Sequence, residues 1–218
     1  MLKATSTNLE IVKGALLEPF PSNEAAQNHS IGVVQMSVFR RGSVLIIKIH
    51  GSNEIRDWFY NLYATTSVNH FCGRKCRIHR GYWLLYSAIR QTVRSIVQSS
   101  QGQVIFLGHS KGGALASIAF VDCADLPQAN DSTLFSFGAP KFGDAAFCNM
   151  INKHQAVHFY NRKDPVIYFP CCGFTKSPPT RKCLVGESRG CWFQAEQHGI
   201  PAYLGALERL NGHLKNGF

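Results

Sequence analysis

The pentapeptide Gly108-His109-Ser110-Lys111-Gly112 is the part of this chain best suited to covalent chemistry. An apolar run from Val104 to Leu107 leads into it, and small and apolar residues suited to a helix follow from Gly113. Gly-x-Ser-x-Gly between a strand and a helix is the context of a nucleophile elbow. The backbone there reverses so tightly that the serine is strained, and residues without a bulky side chain at 108 and 112 leave room for the turn. A serine hydroxyl remains a weak nucleophile until a histidine takes its proton and a carboxylate orients that histidine. Behind such an elbow the partners follow in the order Ser, then Asp or Glu, then His.

Among the acids after Ser110, Asp164 stands out. It follows a predicted strand at 156–160, in Asn161-Arg162-Lys163-Asp164-Pro165, where Pro165 stiffens the turn. Asp122 and Asp125 lie too far along the helix after Ser110 to return to its start. Asp144 suits the first turn of a helix, where a carboxylate offsets the dipole. His154, His158, His198 and His213 compete for the base. The first two precede Asp164, and His213 sits in a polar tail. His198-Gly199 stands at a loop-to-helix junction, so His198 is the expected base. An oxyanion needs two donors where negative charge develops, each worth about 3 kcal/mol of transition-state stabilisation. The backbone amide of Lys111 is one. The turn Gly51-Ser52, after the β-branched stretch 44–49, supplies the other, and Ser52 can add its hydroxyl.

The elements that must position these groups are read from periodicity. Residues 31–39 alternate apolar and polar and 44–49 are densely β-branched, with Arg40-Arg41-Gly42-Ser43 between them, a β-hairpin pattern. Helical spacing of Leu85, Ala88, Ile89, Val93, Ile96 and Val97 predicts a helix over 81–99. Strands are expected at 103–107, 133–137 and 156–160, a short helix within 141–153 and a final helix over 200–210. Residues 1–30, broken by Pro19-Phe20-Pro21, read as a short helix or arm and a loop, and 63–80 as a loop rich in cysteine and arginine. Strand and helix alternation implies a mostly parallel central sheet flanked by helices on both faces. Catalytic groups then collect at the strands' carboxyl ends. The expected organisation is an N-terminal arm, 1–30, and one α/β domain, 31–218.

Composition narrows the class. The chain has 218 residues, 45% hydrophobic and 17% charged, which fits a globular protein rather than a disordered one. Its formal charge is +10, and no acid occurs between Asp57 and Asp122, where Arg74, Lys75, Arg77, Arg80, Arg90, Arg94 and Lys111 all fall. Such a field attracts phosphate, and without a nucleic-acid-binding motif an anionic membrane surface is the expected partner ahead of DNA or RNA. Met1 to Phe20 does not read as a secretory signal and no run of 18 apolar residues exists. A cytoplasmic or membrane-peripheral setting follows as an expectation. Of the eight cysteines, Cys123 and Cys148 sit in apolar helical patterns as free core thiols. His70, Cys72, Cys76 and His79 resemble zinc ligands at a spacing cramped for a tetrahedral site. A Cys72–Cys76 disulfide or free thiols is preferred, and no metal or cofactor is expected.

Taken together, these motifs resemble the class 3 lipases, α/β-hydrolases that include the fungal triacylglycerol lipases. The matches, in order, are Ile49-His50-Gly51-Ser52, Asp57-Trp58 with Asn61-Leu62, Ile78-His79-Arg80-Gly81-Tyr82, the elbow through Ala116, Phe137-Gly138-Ala139-Pro140-Lys141-Phe142-Gly143, and Asn161 to Val166. The chain departs from the pattern at His50, where the family has arginine, at Lys111, and in the cysteine-rich stretch before His198. The resemblance implies the α/β-hydrolase fold, a triad of Ser110, Asp164 and His198, and an oxyanion hole from Ser52 and Lys111. It also implies hydrolysis of acylglycerol or phospholipid esters through an acyl-enzyme. Residues 54–63 stand where fungal members carry a lid. Ile55, Trp58, Phe59 and Tyr63 there either present an apolar face to lipid or pack on the sheet. Competing readings are a carboxylesterase or acyltransferase on small non-lipid esters, and a non-catalytic lipid-binding protein on the same scaffold.

Overall fold

Alternation in the strands assigns neighbouring side chains to opposite faces of one sheet. In β3 (Val44–Ile49), Leu45, Ile47 and Ile49 join one apolar cluster and Ile46 joins a second. In β6 (Val104–His109) the same division separates Val104 and Phe106 from Ile105 and Leu107. A strand buried on both faces reads as a continuous apolar run and must be covered from both sides. The computed structural model of the chain describes residues 12–13, 15–16, 26–51, 65–151, 155–170, 181–183 and 195–215.

Among the described residues the main sheet has seven strands in the order β1-β2-β3-β6-β7-β8-β9. The remaining members are β1 (Ala26–Ile31), β2 (Val34–Arg41), β7 (Thr133–Phe137), β8 (Gln155–Tyr160) and β9 (Arg181–Cys183). β1, β2 and β3 run antiparallel, whereas β3, β6, β7, β8 and β9 are parallel. This is the α/β-hydrolase arrangement expected from the sequence. On one face lie α1 (Arg80–Gln98) and α2 (Lys111–Asp122), whose 12 residues are all buried. A helix apolar on every side belongs between a sheet and another helix. Part of α4 (Ile200–Lys215), through Tyr203, Leu204 and Leu207, covers the other face beside Val12, Ala15 and Leu16. The buried Lys48 amine reaches across to the Ala15 carbonyl at 2.7 Å and that of Leu16 at 3.2 Å. The cation thereby fixes the N-terminal segment to the sheet and satisfies its own charge.

Two expectations are corrected. Residues 66–79, within the stretch read as a loop, are not one: β4 (Thr66–Phe71) and β5 (Arg74–His79) form an antiparallel ribbon closed by Cys72-Gly73. Both turn residues have positive φ, 47° and 73°, as a two-residue hairpin turn of the primed type requires. Asn69, Phe71, Cys76 and Ile78 pack inward, while Val68, His70, Lys75 and Arg77 alternate outward. The outward cations break the hydrophobic signal. The end of the 1–30 arm is likewise a strand, since β1 adds a polar edge that discourages further pairing.

The ribbon also places the histidines and cysteines considered as zinc ligands. His70 pairs with Lys75 near the turn, and His79 pairs with Thr66 at the open end. No group of three or more metal-ligating side chains occurs among the described residues, and the Cys72 and Cys76 thiols are free. Cys123 and Cys148 are buried thiols outside any disulfide, with burial pushing each thiol up to about 12.

Candidate active site

Ser110 follows β6 directly and adopts φ 56°, ψ −129°, a conformation rare for a residue with a side chain. The surroundings impose it. The Ser110 amide donates to the Phe137 carbonyl at 2.9 Å, and its own carbonyl accepts from Gly113 at 3.0 Å. A Cβ on Gly108 would stand 2.2 Å from the Gly112 carbonyl oxygen, and one on Gly112 would stand 2.1 Å from that of Ile49. Only glycine permits β3, β6 and α2 to converge this closely.

Asp164 and His198 come from separate elements yet meet. Asp164 lies in the turn after β8 and is fully buried. His198 ends a 3-10 turn, Ala195–His198, just before α4. The His198 Nδ1 stands 2.7 Å from Asp164 Oδ2. With that nitrogen donating, Nε2 is left as the proton acceptor. Nε2 is buried and makes no hydrogen bond among the described residues, including none to Ser110. Catalytic hydrogen bonds are often long before substrate binds.

What holds the base against the elbow is His109. Its Nε2 donates to the His198 carbonyl at 2.6 Å, and the two imidazoles lie with centroids 4.7 Å apart at a tilt of 35°. Burial, and secondarily the neighbouring His198, lower His109 to about 3, so it stays a neutral donor. His109 was expected only as an elbow residue, and its grip on the base is not encoded in spacing.

Tyr203 is a residue that sequence reasoning missed. Its hydroxyl donates to Asp164 Oδ2 at 2.6 Å, and Asp164 Oδ1 accepts the Val166 amide at 2.8 Å. Gly138, at φ 56°, makes room: a Cβ there would stand 2.9 Å from the Tyr203 hydroxyl and 3.0 Å from Asp164 Oδ2. Asn161 ties the acid turn to the base turn through Gln197 Oε1 at 2.8 Å. Tyr203 sits at an apolar helical position, which conceals a polar task. Tyr203→Phe removes one hydrogen bond to a charged group, worth about 1.5–3 kcal/mol. The expected result is a kcat for a soluble ester at least tenfold lower with KM little changed. An unchanged kcat would make Tyr203 packing alone.

The other candidates are placed as follows. Asp122 binds Arg90 at 2.8 Å and the Tyr86 hydroxyl at 2.7 Å at the far end of α2, and Asp125 binds Arg94. Asp144 accepts from the Phe147 amide at 2.9 Å, capping α3 (Ala145–Ile151), and from the Arg77 amide at 3.0 Å. His158 is buried within β8 against Ser136. His213 falls in α4, and His154 lies outside the described residues. Ser52, Asp57, Trp58 and the whole 54–63 segment also lie outside them. Lys111 is not a surface charge as expected: it is 8% exposed, and burial lowers its amine. Gly51 stands beside the elbow, where an added Cβ would lie 3.1 Å from the His109 carbonyl oxygen.

His50, in place of the family's arginine, has a partner. Its Nε2 lies 2.7 Å from the Ser37 hydroxyl, which donates to Asn28 at 2.8 Å, and its amide donates to Gln35. Burial and then Lys48 lower His50 to about 4. Between pH 6.5 and these lowered values the unfolded chain binds more protons than the native one, so stability rises with pH there. Urea midpoints should therefore fall as pH drops from 6.5 toward about 4. Each imidazole adds at most about 1.4 kcal/mol per pH unit, and half-buried His50 less. A midpoint flat across that window would mean neither ring is held neutral.

The family model described as lipase (class 3) matches residues 46–174. Secreted mono- and diacylglycerol lipase A of Penicillium cyclopium is 23% identical over 62% of this chain and 46% of its own length. Phospholipase A1 EG1 of Oryza sativa subsp. indica, chloroplastic/mitochondrial, is 29% identical over 54% of this chain and 27% of its own length. The chain thus spans less than half the length of these curated relatives. A crystal structure of a mutant form of MDLA from Penicillium cyclopium superposes with a TM-score of 0.67 at 17% identity, covering 86% of this chain and 83% of that one. The last likeness is one of fold.

Proposed function

Because the chain belongs to the class 3 lipase family, we propose that it is a serine hydrolase cleaving the carboxylic ester bonds of acylglycerols or phospholipids through an acyl-enzyme. The observation that carries the reading is the Asp164–His198 hydrogen bond beside the strained Ser110 turn. His198 Nε2 accepts the Ser110 proton as Oγ forms its bond to the ester carbonyl carbon. The oxyanion of the tetrahedral intermediate is held by the Lys111 amide, with a second donor from the Gly51-Ser52 turn. Collapse breaks the bond to the glyceride oxygen, and His198 returns the proton to that leaving group. Water, deprotonated by His198, then attacks the acyl-serine and releases the fatty acid. Asp164 orients His198 and supports the imidazolium that forms, while Tyr203 and the Val166 amide donate to its carboxylate oxygens.

The likeness to a mono- and diacylglycerol lipase and to a phospholipase A1 supports a glycerolipid substrate. Such a substrate is met at a lipid surface, and an anionic one suits the chain's charge of +10. No helix among the described residues is long and apolar enough to cross a membrane.

The decisive test is a panel of mono-, di- and triacylglycerols, neutral and anionic phospholipids and galactolipids. It is scored by released fatty acid, with Ser110→Ala as the blank. Release from at least one glycerolipid class above the blank is expected. Cleavage of short soluble esters with no lipid hydrolysed would make the protein a small-ester carboxylesterase.

A further inference from the structure

The β4–β5 ribbon has two chemically different faces. Inward, Phe71 packs edge-on against Phe147 and Trp83, and Ile78 is fully buried. Outward, Val68 pairs with Arg77 and His70 with Lys75, with Arg74 at the turn and Arg80 opening α1. All six of these residues are exposed. Among the described residues, Arg74, Lys75, Arg77 and Arg80 have no ion pair, whereas Arg90 and Arg94, later in the same basic stretch, are paired with Asp122 and Asp125. The charge of the stretch is therefore divided: its helical part is offset internally and its ribbon part faces outward.

The location of the ribbon gives that charge a purpose. Ile78 bridges to Gly143, the His79 amide donates to Phe142, and the Asp144 amide donates to Arg77. These contacts fasten the ribbon to the segment leaving β7, at the carboxyl-end edge of the sheet where Ser110 and Asp164 stand. Val68 is 51% exposed, and Leu84, one turn beyond Arg80, is 58% exposed. Cations flanking isolated apolar side chains suit a headgroup layer, where charge meets phosphate and the apolar groups enter the acyl boundary.

We infer that the outer face of the β4–β5 ribbon, with the first turn of α1, docks the protein on anionic lipid surfaces and brings its catalytic edge to the substrate. The choice of lipid over another polyanion rests on the lipid-hydrolase reading.

Docking is read without turnover, by sedimenting the full-length Ser110→Ala protein with vesicles of phosphatidylcholine alone and with phosphatidylserine added. Partition should favour the anionic vesicles and weaken with salt. Lys75→Gln with Arg77→Gln should lower it by roughly fivefold per cation removed. Arg74→Gln with Arg80→Gln, an independent pair, should do the same, while the charge-keeping Lys75→Arg with Arg77→Lys should retain it. Equal partition on both vesicles, or no loss in either Gln pair, overturns the proposal. So does duplex DNA or RNA that binds as tightly at the same salt and displaces the vesicles. A protein that sediments as expected but releases no fatty acid keeps this docking face and loses the hydrolase reading. Active protein indifferent to vesicle charge does the reverse.

Discussion

Replacing Ser110 by alanine is expected to abolish fluorophosphonate labelling and to lower ester hydrolysis by about 10⁶-fold, the scale of removing a triad nucleophile. The protein should remain folded. Strain at φ 56°, ψ −129° costs about 1–3 kcal/mol whether the side chain ends in a hydroxyl or not. That strain is held by backbone, through the Ser110 amide on Phe137 and the Ser110 carbonyl on Gly113 and Ala114. Alanine keeps the backbone and the Cβ, so the turn persists and the urea midpoint should move little. Unaltered labelling in Ser110→Ala would place the reactive nucleophile elsewhere. Loss of labelling together with a large fall in the midpoint would mean that the turn itself had been damaged.

Why this serine was legible and other parts were not follows from what each residue contributes locally. Ser110 is marked by chain neighbours, since the apolar strand, the two glycines and the small helix residues all lie within a few positions of it. Asp164 and His198 are marked by order and by their places after a strand and before a helix, and the structure brings them to 2.7 Å. Tyr203 and His109 act through contacts between elements far apart in sequence, which periodicity does not register. The β4–β5 ribbon was hidden because half of its alternation is cationic: Arg74, Lys75 and Arg77 read as solvated loop although Phe71, Cys76 and Ile78 are core. Lys111 misled in the opposite sense. Its charge implied a surface residue, yet it is the first residue of a helix buried all round, and its aliphatic stem tolerates that position.

Asp164→Asn should lower kcat on a soluble ester by about 10⁴-fold while leaving KM nearly unchanged, because it corrupts the tautomer of the base rather than the binding of substrate. The three hydrogen bonds at Asp164 force this outcome. Oδ1 accepts from the Val166 amide at 2.8 Å, and Oδ2 accepts from both Tyr203 at 2.6 Å and His198 at 2.7 Å. An asparagine has only one oxygen. If that oxygen stays with Val166, the amide nitrogen faces His198 Nδ1 and donates to it, so the ring proton moves to Nε2. The base then has no lone pair with which to accept the Ser110 proton. If the amide turns over, His198 keeps its tautomer but the buried Val166 amide loses its acceptor, at a cost of about 1–3 kcal/mol. The first orientation keeps every backbone group satisfied and should dominate. Kinetics then separate the two: the first predicts low kcat with near-native stability, and the second predicts near-native kcat with a lowered urea midpoint. A variant within tenfold of wild type in kcat and equal to it in stability would fit neither, and Asp164 would not be the residue that orients His198.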